Sequence, residues 1–497
     1  MRANTILYGF IALALLAMSS CTPSPTSPPG QVSTQNYWPT QAWQTSTPEE
    51  QGFDSAKLAD ELQYLQEKNV AIDSLLIIRN GYVVLDAYFS PYDGSFPHKL
   101  ASVTKSVMTT LIGIAVDQGK IQLDQPMVSF FSDRTIANLD ERKEHITVRH
   151  LVSNQNGFAS GCLGGDEPTL IAMRSTPDWV QAALDRKMTA EPGKAFCYDS
   201  PGMHLLSAIL QEATGMTALE FAQKNLFEPL GIHDLLWRAD PQGHTRGWGD
   251  LYLKPLDAAK LGYLWINKGV WEGKQIVSAS WVEDSVKANS YGGMDSYGYG
   301  WWISNDSYYA SGRGGQTIKI YPAYNAVIVT TGSRLEYDQI NPLLKTAFVD
   351  PSKPLPANPA NAAKLSEVVS GLVHLESPPS YSMTPDIPDD ILGKTYVFES
   401  NPVGLATLRL DANDSNQATI SMNLEGIDEV WLIGLDGKYR MTSSGQALRG
   451  YWADSQTLVS EIFEDGISSF KLHFEGDLVE VNIPERGISL MGQVEKP

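Results

Sequence analysis

The sequence predicts an α+β domain, in which a large helical region flanks an antiparallel sheet, followed by a small all-β domain. Strand patterns stand at both ends of the segment 43–350, and helical patterns fill its middle. The last quarter, 387–497, alternates apolar with polar residues and carries frequent turn signals. We therefore expect one sheet assembled from both ends of the first segment, and a barrel or sandwich over the second.

Four segments predict the elements of the first domain in chain order. "LLIIRNGYVVLDAYF" contains two apolar runs joined by Asn80-Gly81, a pair typical of a tight hairpin because both turn positions need positive φ. "LASVTKSVMTTLIGIAVDQG" predicts a helix that ends at Gly119, and "SPGMHLLSAILQEATG" a second that ends at Gly215. "TIKIYPAYNAVIVTTG" returns to strands around a turn at 322–325.

Composition predicts where this domain ends. Residues 351–386 are rich in proline and alanine, and we interpret them as a linker with one short helix. The segment 387–497 contains the turn pairs Asp436-Gly437, Asp465-Gly466 and Gly476-Asp477 between alternating runs. The formal net charge of the chain is −20, which would repel nucleic acid, so we exclude nucleic-acid partners.

The first residues, "MRANTILYGFIALALLAMSSC", predict export. Arg2 precedes an apolar run over 6–17, which is shorter than the roughly 20 residues that span a bilayer. Residues 1–21 resemble a bacterial lipoprotein signal, which implies a lipid at Cys21, a Pro/Ser/Thr-rich tether over 22–42 and attachment to a membrane. The cell envelope is then the location, on the periplasmic face and at the outer membrane. A plain signal peptide with an incidental cysteine is the alternative.

A disulfide or a metal site would have to come from the two further cysteines and the eight histidines. In an exported protein Cys162 and Cys197 are expected to form a disulfide, and two free buried thiols are the alternative. The histidines are scattered without the spacing of metal ligands. The sequence therefore predicts no metal and no other cofactor.

The pattern Ser-x-x-Lys occurs twice, and the period of the surrounding residues separates the two copies. Ser102 and Lys105 stand in a helical pattern, where residues three apart share a face about 5 to 6 Å apart. Ser468 and Lys471 stand in a strand pattern, where residues three apart point to opposite faces. A serine nucleophile needs a base within hydrogen-bond reach. Only the copy at Ser102 places a basic side chain, that of Lys105, within reach of its serine.

The order of three short motifs carries a family resemblance. "SVTK" is followed by "YDS" and then by "SGRGGQ", and the chain over 43–350 resembles the serine β-lactamase and penicillin-binding protein superfamily, class C branch. That branch includes esterases and 6-aminohexanoate-dimer hydrolases. The resemblance implies a β-lactamase-like fold with Ser102 as nucleophile, Lys105 as its activating partner and Tyr198 as proton relay. It also implies that the backbone N–H groups of Ser102 and Gln316 form the oxyanion hole.

The second and third motifs depart from the usual family pattern. Ser200 replaces the asparagine of the second motif, and its contact with substrate or Lys105 competes with a role as helix N-cap before Pro201, which we favour. The third motif is Arg313-Gly314-Gly315 in place of Lys-Thr-Gly, and arginine can bind a carboxylate but cannot act as a base. Both departures favour the esterase or amidase branch over a true β-lactamase.

Together these features predict an exported serine hydrolase that cleaves a small ester, amide or peptide through an acyl-enzyme on Ser102. The alternatives are a catalytically silent envelope protein that binds peptidoglycan peptides or penicillin, and a true β-lactamase. The nearby aromatics Tyr297, Tyr299, Trp301 and Trp302 are interpreted as core residues, with a lining of the substrate cleft as the alternative.

Overall fold

A computed structural model describes residues 37–160, 168–291, 295–335, 340, 346–349, 353–373, 391–424, 426–464 and 466–495. The predicted signal at 1–21, its cysteine Cys21 and the predicted bridge partner Cys162 lie outside these residues. Within the described ranges, no helix has both the length and the apolar character needed to cross a lipid bilayer.

The first domain contains thirteen strands and eleven helices among the described residues. The strands are β1 (Ile72–Arg79), β2 (Tyr82–Tyr88), β3 (His98–Lys99), β4 (Leu235–Trp237), β5 (Leu251–Leu253), β6 (Val270–Trp271), β7 (Lys274–Gln275), β8 (Ser290–Tyr291), β9 (Ser296–Tyr297), β10 (Trp302–Ile303), β11 (Tyr308–Gly312), β12 (Gln316–Tyr321) and β13 (Ala326–Gly332). The helices are α1 (Ser55–Glu67), α2 (Val103–Asp117), α3 (Glu141–Glu144), α4 (Val148–Val152), α5 (Pro168–Arg174), α6 (Trp179–Leu184), α7 (Ser200–Thr214), α8 (Ala218–Ala222), α9 (Pro255–Ile266), α10 (Ala279–Ser285) and α11 (Pro359–Leu372).

Eight of these strands form one antiparallel sheet in the order β2-β1-β13-β12-β11-β10-β9-β8. Strand β1 pairs with its neighbour β2 and with β13, which confirms that both ends of the domain build the sheet. Asn80 and Gly81 have φ angles of 50° and 82° in the β1–β2 turn, as the predicted hairpin requires. Helices α2 to α10 are inserted between β2 and β8, so the helical region is one long excursion from the sheet.

Strand β1, next to the edge strand β2, is buried on both faces and separates two apolar cores. Leu76 and Ile78 face the larger core with the helical region, whereas Leu75 and Ile77 face a second core with α1 and α11. This alternation follows from the two-residue period of a strand. Helix α2 lies inside the larger core, with 13 of its 15 residues buried. Its first turn is therefore fixed by packing on all sides.

A buried carboxyl on α1 makes stability depend on pH. Glu61 is 4% exposed, and neither of its carboxyl oxygens has a hydrogen-bond partner within the described part of the chain. Burial raises the pKa of Glu61 from 4.5 to about 8. Between these values the folded protein holds a proton that the unfolded chain has lost. The free energy of unfolding therefore falls as pH rises, by up to about 1.4 kcal/mol per pH unit.

We accordingly expect Glu61→Gln to reduce the loss of melting temperature between pH 5 and pH 8, because the amide stays neutral at both. Thermal melts followed by circular dichroism measure this difference. Glu67→Gln, at an exposed position of the same helix, is the control and should leave the pH dependence unchanged. Equal pH dependence in the wild type and Glu61→Gln would contradict the assignment.

Both predicted boundaries of the first domain differ from the structure. Trp38, in the predicted tether, packs its ring 5.2 Å from Trp271 and 5.7 Å from Tyr263, measured between centroids. The predicted linker contains the 14-residue helix α11, whose Leu365 and Leu372 are buried against α1 and the sheet. The helix expected in this segment is thus present, and Pro359 stands in its first turn, where proline is favourable.

The second domain is all-β, as the sequence predicts, and closes into a barrel. Its strands are β14 (Thr395–Phe398), β15 (Leu405–Asp414), β16 (Gln417–Leu424), β17 (Ile427–Gly434), β18 (Arg440–Met441), β19 (Ala447–Trp452), β20 (Thr457–Phe463), β21 (Ile467–Glu475), β22 (Leu478–Ile483) and β23 (Ile488–Val494). Nine of them form the ring, and the short β18 pairs with β19 outside it. A parallel contact between β17 and β19, at Gly434 and Arg449, closes the ring. Ser468 and Lys471 lie on β21, which confirms the second Ser-x-x-Lys copy as a strand.

The barrel packs against the segment that leads into α2. The rings of Tyr92 and Phe463 are stacked with centroids 5.7 Å apart, and Phe96 packs on both. One residue after Phe463, Glu464 pairs with Lys99 over 3.1 Å. Because Lys99 lies three residues before Ser102, the barrel is attached close to the predicted nucleophile.

Candidate active site

The predicted nucleophile, Ser102, stands at the junction of strand β3 and helix α2. Helix α2 begins at Val103, and the Ser102 side chain makes no capping hydrogen bond to it. The preceding residue, Ala101, has a φ of 45°, a left-handed conformation that side chains disfavour. Strain of this kind persists only where the surrounding fold enforces it, and it is concentrated at functional sites. Ser102 is thus placed by a strained turn and does not serve as a capping residue.

Lys105 lies one helical turn after Ser102, and its amine reaches back to the serine. The Lys105 Nζ donates to Ser102 Oγ over 3.0 Å and to the Trp248 carbonyl over 3.1 Å. The side chain is 1% exposed. Two acceptors and complete burial fix the amine at hydrogen-bond distance from the hydroxyl, as the helical spacing predicts.

Tyr198 meets this pair from the loop before helix α7. Lys105 Nζ lies 4.5 Å from the centroid of the Tyr198 ring, a cation–π distance. The ring also stacks on Trp302 at 6.0 Å between centroids with an interplanar angle of 23°, and it meets the Tyr297 ring edge-on at 6.4 Å. The structure therefore brings the three predicted catalytic residues together, with Lys105 between the serine and the tyrosine.

A buried ion pair fixes the loop that carries Tyr198. The neighbouring Asp199 is completely buried, and its two carboxylate oxygens accept from Arg186 Nη1 and Nη2 over 2.6 and 3.0 Å. Asn156 Nδ2 donates to the same carboxylate over 2.8 Å. A two-pronged arginine–carboxylate contact has a defined direction as well as strength. Asp199 and Arg186 are thus positioning residues for Tyr198.

The structure corrects the capping role that the sequence suggested for Ser200. The N-cap of α7 is Asp199, whose side chain is engaged with Arg186 and makes no capping bond, and Ser200 is the first helical residue. The prediction was wrong by one residue because Pro201 was placed at the first helical position, whereas it occupies the second. Ser200 is 3% exposed and lines the cleft in front of Ser102, which is the alternative role considered above.

The third motif forms the turn between strands β11 and β12. Gly314 and Gly315 have φ angles of 88° and 94°, which glycine adopts without strain. Gln316 is 2% exposed, and its Nε2 donates to the carbonyls of Arg313 and Gly332 over 3.1 and 2.6 Å. Its side chain therefore holds the turn together. Arg313 is exposed and lines the cleft.

The backbone N–H of Ser102, one of the two predicted oxyanion donors, lies against the end of β11. A Cβ at Gly312 would stand 3.0 Å from the Ser102 nitrogen and 2.5 Å from the Leu100 carbonyl oxygen, so only glycine fits there. Gln316 faces Gly312 across the β11–β12 hairpin. The predicted second donor, the Gln316 N–H, is thus one strand away from the Ser102 backbone, and its role stays a prediction.

These residues open onto a cleft of about 640 Å³. All three parts of the structure line it: the sheet with Trp302 and Arg313, the helical region with Arg238 and Trp248, and the barrel with Glu464. Trp302 therefore lines the cleft, the alternative role considered for the aromatic group. The predicted core role is confirmed for the other members, which are at most 5% exposed: Tyr297, Tyr299 and Trp301.

Of the two cysteines that are predicted to form a disulfide, the structure describes Cys197. Cys197 is buried beside Tyr198, and its backbone N–H donates to the Asn154 carbonyl over 2.9 Å. Its predicted bridge partner, Cys162, lies outside the described residues, so the bridge stays a prediction. In the ranges that the structure describes, no group of three or more His, Cys, Asp or Glu side chains could hold a metal ion.

Sequence reasoning missed the charged residues around the cleft. Arg238 and Glu464 are far from the three motifs in the chain and carry no local signal, so only the tertiary fold reveals them. Arg186 lies 13 residues before Asp199 and likewise carries no local signal. Asp199 had a signal, because it is the middle residue of "YDS" and a buried carboxylate beside a proton relay requires a partner.

The fold and the Ser-Lys-Tyr site define a β-lactamase-like serine hydrolase. The chain belongs to the Beta-lactamase family, whose family model matches residues 59–344, more than half of the chain. The resemblance inferred from the three motifs is therefore confirmed. The strands of the barrel, from β14 to β23, lie beyond the matched region.

Individual relatives are hydrolases. The chain is 24% identical over 301 residues to a 6-aminohexanoate-dimer hydrolase of Paenarthrobacter ureafaciens, covering 56% of this chain and 76% of that protein. It is 26% identical over 155 residues to a lovastatin esterase of Penicillium rubens, covering 27% of this chain and 38% of the esterase. The solved structure of EstCE1, described as a hydrolase with promiscuous acyltransferase activity, gives a TM-score of 0.50 at 16% identity, covers 60% of this chain and 99% of EstCE1, and supports the fold alone. The protein is thus an enzyme of a serine hydrolase family with esterase and amidase relatives.

Proposed function

We propose that the protein is an exported serine hydrolase that cleaves a small ester or amide through an acyl-enzyme on Ser102. One observation carries the proposal: Lys105 Nζ lies 3.0 Å from Ser102 Oγ and 4.5 Å from the Tyr198 ring, at the edge of an open cleft. The hydrolase relatives support the same reaction type.

Acylation begins with the transfer of the Ser102 hydroxyl proton to the Tyr198 side chain, the proton relay that the family resemblance implies. Lys105, which contacts both side chains, stabilises the charge that develops during this transfer. Ser102 Oγ then forms a bond to the substrate carbonyl carbon, and the carbonyl oxygen becomes an oxyanion that accepts from the Ser102 N–H. The bond to the leaving group breaks, and Tyr198 returns the proton to the leaving oxygen or nitrogen.

Deacylation repeats these steps with water in place of the serine hydroxyl. Water gives a proton to Tyr198 and attacks the acyl carbon, which forms a second tetrahedral oxyanion. The bond from carbon to Ser102 Oγ breaks, and Oγ recovers the proton from Tyr198. The products are a carboxylic acid and the free enzyme, so neither a metal nor a redox cofactor takes part in this cycle.

The departures from the family motifs support ester or amide substrates over β-lactams. Arg313 stands where the third motif has lysine or histidine, and arginine keeps its proton under all working conditions. It can bind an anionic group at the exposed end of the cleft but cannot join the proton transfers. Ser200 offers a shorter polar group to the cleft than the usual asparagine.

Covalent labelling and a substrate panel test the proposal. A fluorophosphonate probe should modify Ser102, located by peptide mass spectrometry, and p-nitrophenyl esters or D-amino-acid amides should be turned over faster than nitrocefin. Faster nitrocefin turnover would identify a true β-lactamase. Absence of both labelling and turnover, with labelled penicillin still bound, would identify the silent binding protein.

We also propose that the protein is exported and lipid-anchored at Cys21 on the periplasmic face of the outer membrane. The charged start, the short apolar run and the small residues before Cys21 support this location. We expect wild-type protein to incorporate labelled palmitate and the Cys21→Ala variant to remain unlabelled. Equal labelling of the two proteins would contradict the anchor.

The bridge between Cys162 and Cys197 belongs to the same proposal, because disulfides persist in exported proteins. Cys197 adjoins Tyr198 in the chain, so a bridge there would help to fix the loop that carries the proton relay. Peptide mapping of the unreduced protein tests it, and alkylation of both thiols would contradict it.

A further inference from the structure

We propose that the substrate carries an anionic group, a carboxylate in the simplest case, which Arg238 and Arg174 bind on the helical side of the cleft. This inference rests on the proposed hydrolase function and adds the charge of the substrate to it. It concerns residues outside the three sequence motifs and is independent of Arg313.

The cleft is cationic although the chain is strongly acidic. Five of its described lining residues are lysine or arginine and three are carboxylates, which leaves a formal excess of two positive charges in a chain of net charge −20. Clefts lined by one sign of charge concentrate ligands of the opposite sign. An uncharged substrate would not require this arrangement.

Backbone pairing places three of these charged residues side by side. The Arg238 N–H donates to the Asp250 carbonyl over 3.2 Å, and the Arg246 N–H donates to the Arg238 carbonyl over 2.9 Å. Arg246 Nη1 pairs with Asp250 Oδ2 over 2.6 Å, and its Nε donates to the Ala239 carbonyl over 2.9 Å. The guanidinium of Arg246 also lies 5.0 Å from the Trp179 ring centroid. Arg246 is therefore a fixed structural residue.

The carboxylates that line the cleft already have partners. Asp250 pairs with Arg246, Glu464 pairs with Lys99 over 3.1 Å, and Asp295 accepts from the Tyr309 hydroxyl over 2.6 Å. Lys99 and Arg246 are thus neutralised by neighbouring charges.

Arg238 and Arg174 are the cations on the helical side of the cleft that no described carboxylate neutralises. Arg238 is half-buried and Arg174 is exposed at the end of α5, and neither forms an ion pair with any residue that the structure describes. Burial lowers the pKa of Arg246, the Asp250 carboxylate raises it, and the charges of Arg238 and Arg174, which line the same cleft, lower it. A bound anion would relieve this repulsion, and guanidinium groups suit carboxylates in particular.

The barrel adjusts this charge through Glu464. Loss of the Glu464 charge would raise the formal excess of positive charge in the cleft from two to three. The stacked rings of Phe463 and Tyr92 hold Glu464, the residue after Phe463, at the cleft. The barrel is thus part of the substrate site as well as an attached domain.

Matched ester pairs test the inference in the full-length enzyme. Mono-4-nitrophenyl adipate and its methyl ester differ in one charge on the acyl side, whereas 3-carboxy-4-nitrophenyl hexanoate and 4-nitrophenyl hexanoate differ in one charge on the leaving group. We expect kcat/KM to favour the charged member of at least one pair by about 10- to 100-fold, the effect of one charged hydrogen bond. The pair that shows the preference identifies which side of the substrate carries the anion.

Variants assign the preference to residues. Arg238→Gln and Arg174→Gln should lose most of this preference, because kcat/KM should fall further for the charged esters than for the neutral ones. Thermal melts of both variants report on folding. Glu464→Gln should increase the preference, because it removes one negative charge from the lining of the cleft. Arg409→Gln, at an exposed position of the barrel, is the control. Raising the salt concentration should weaken the preference in the wild type, since exposed charges are screened.

Two results would overturn the inference: charged and neutral esters turned over equally by the wild type, or equal losses for both in Arg238→Gln. Calorimetry on Ser102→Ala separates this failure from failure of the proposed function, because that variant binds without turnover. Adipate should bind it more tightly than dimethyl adipate, and Arg238→Gln in the same background should remove the difference. If the wild type turns over no ester but this difference persists, the hydrolase proposal fails and the anion site stands.

Discussion

Ser102→Ala is expected to abolish ester turnover, with a loss in kcat on the order of 10⁴ to 10⁶, because the hydroxyl that forms the acyl-enzyme is gone. The fold should be unaffected, since this side chain makes no capping bond to α2 and its partner Lys105 keeps its contact with the Trp248 carbonyl. Initial rates with a p-nitrophenyl ester and the melting temperature measure the two effects.

Ser468→Ala is the matched control, since Ser468 begins the same Ser-x-x-Lys pattern on a strand of the barrel. It should keep wild-type turnover and should leave fluorophosphonate labelling unchanged. Substantial turnover by Ser102→Ala, after subtraction of the spontaneous hydrolysis, would remove Ser102 from the mechanism.

Tyr198→Phe is expected to lower kcat by about 10² to 10⁴, because it removes the group that moves the proton and keeps the ring. The stacking on Trp302 and the position over Lys105 involve only the ring, so the melting temperature should change little. Single-turnover kinetics with a p-nitrophenyl ester show whether acylation, deacylation or both are slowed; the mechanism above predicts both.

Tyr297→Phe is the control for this substitution. Tyr297 is 1% exposed and packs in the same aromatic group, with its ring centroid 4.9 Å from that of Trp302. It should keep turnover within a few-fold of the wild type. If Tyr198→Phe instead melts many degrees lower and retains activity per folded molecule, Tyr198 is a packing residue and the relay must lie elsewhere.

The elements that the sequence predicted correctly depend on interactions between near neighbours. Asn80 and Gly81 accept positive φ angles, so the hairpin turn is fixed by two residues whatever surrounds it. Gly215 adopts a φ of 72° and ends α7 for the same reason. The alternating residues of the last quarter fix strands in the same way, because each strand needs one buried face.

The predictions that failed or stayed open depend on distant contacts. The same alternation suits a barrel and a sandwich, and the choice was made by one pairing between β17 and β19 that no local pattern encodes. The proline- and alanine-rich segment contains the helix that the sequence predicts, but the packing of Leu365 and Leu372 against α1 and the sheet is seen only in the tertiary structure. Asp199, and not Ser200, precedes the first residue of α7, and its carboxylate pairs with Arg186, 13 residues earlier in the chain.

In the active site, too, local geometry predicted some contacts and only the tertiary structure revealed the others. Helical geometry places residues three apart on one face, so the sequence by itself determined that Lys105 reaches Ser102 and that Lys471 does not reach Ser468. Only the tertiary structure decided that the Tyr198 ring covers Lys105. It also decided that Arg238 and Glu464, 226 residues apart in the chain, reach the same cleft. Side chains so far apart in sequence meet only when burial of the cores between them fixes their distance, and no local period carries that information.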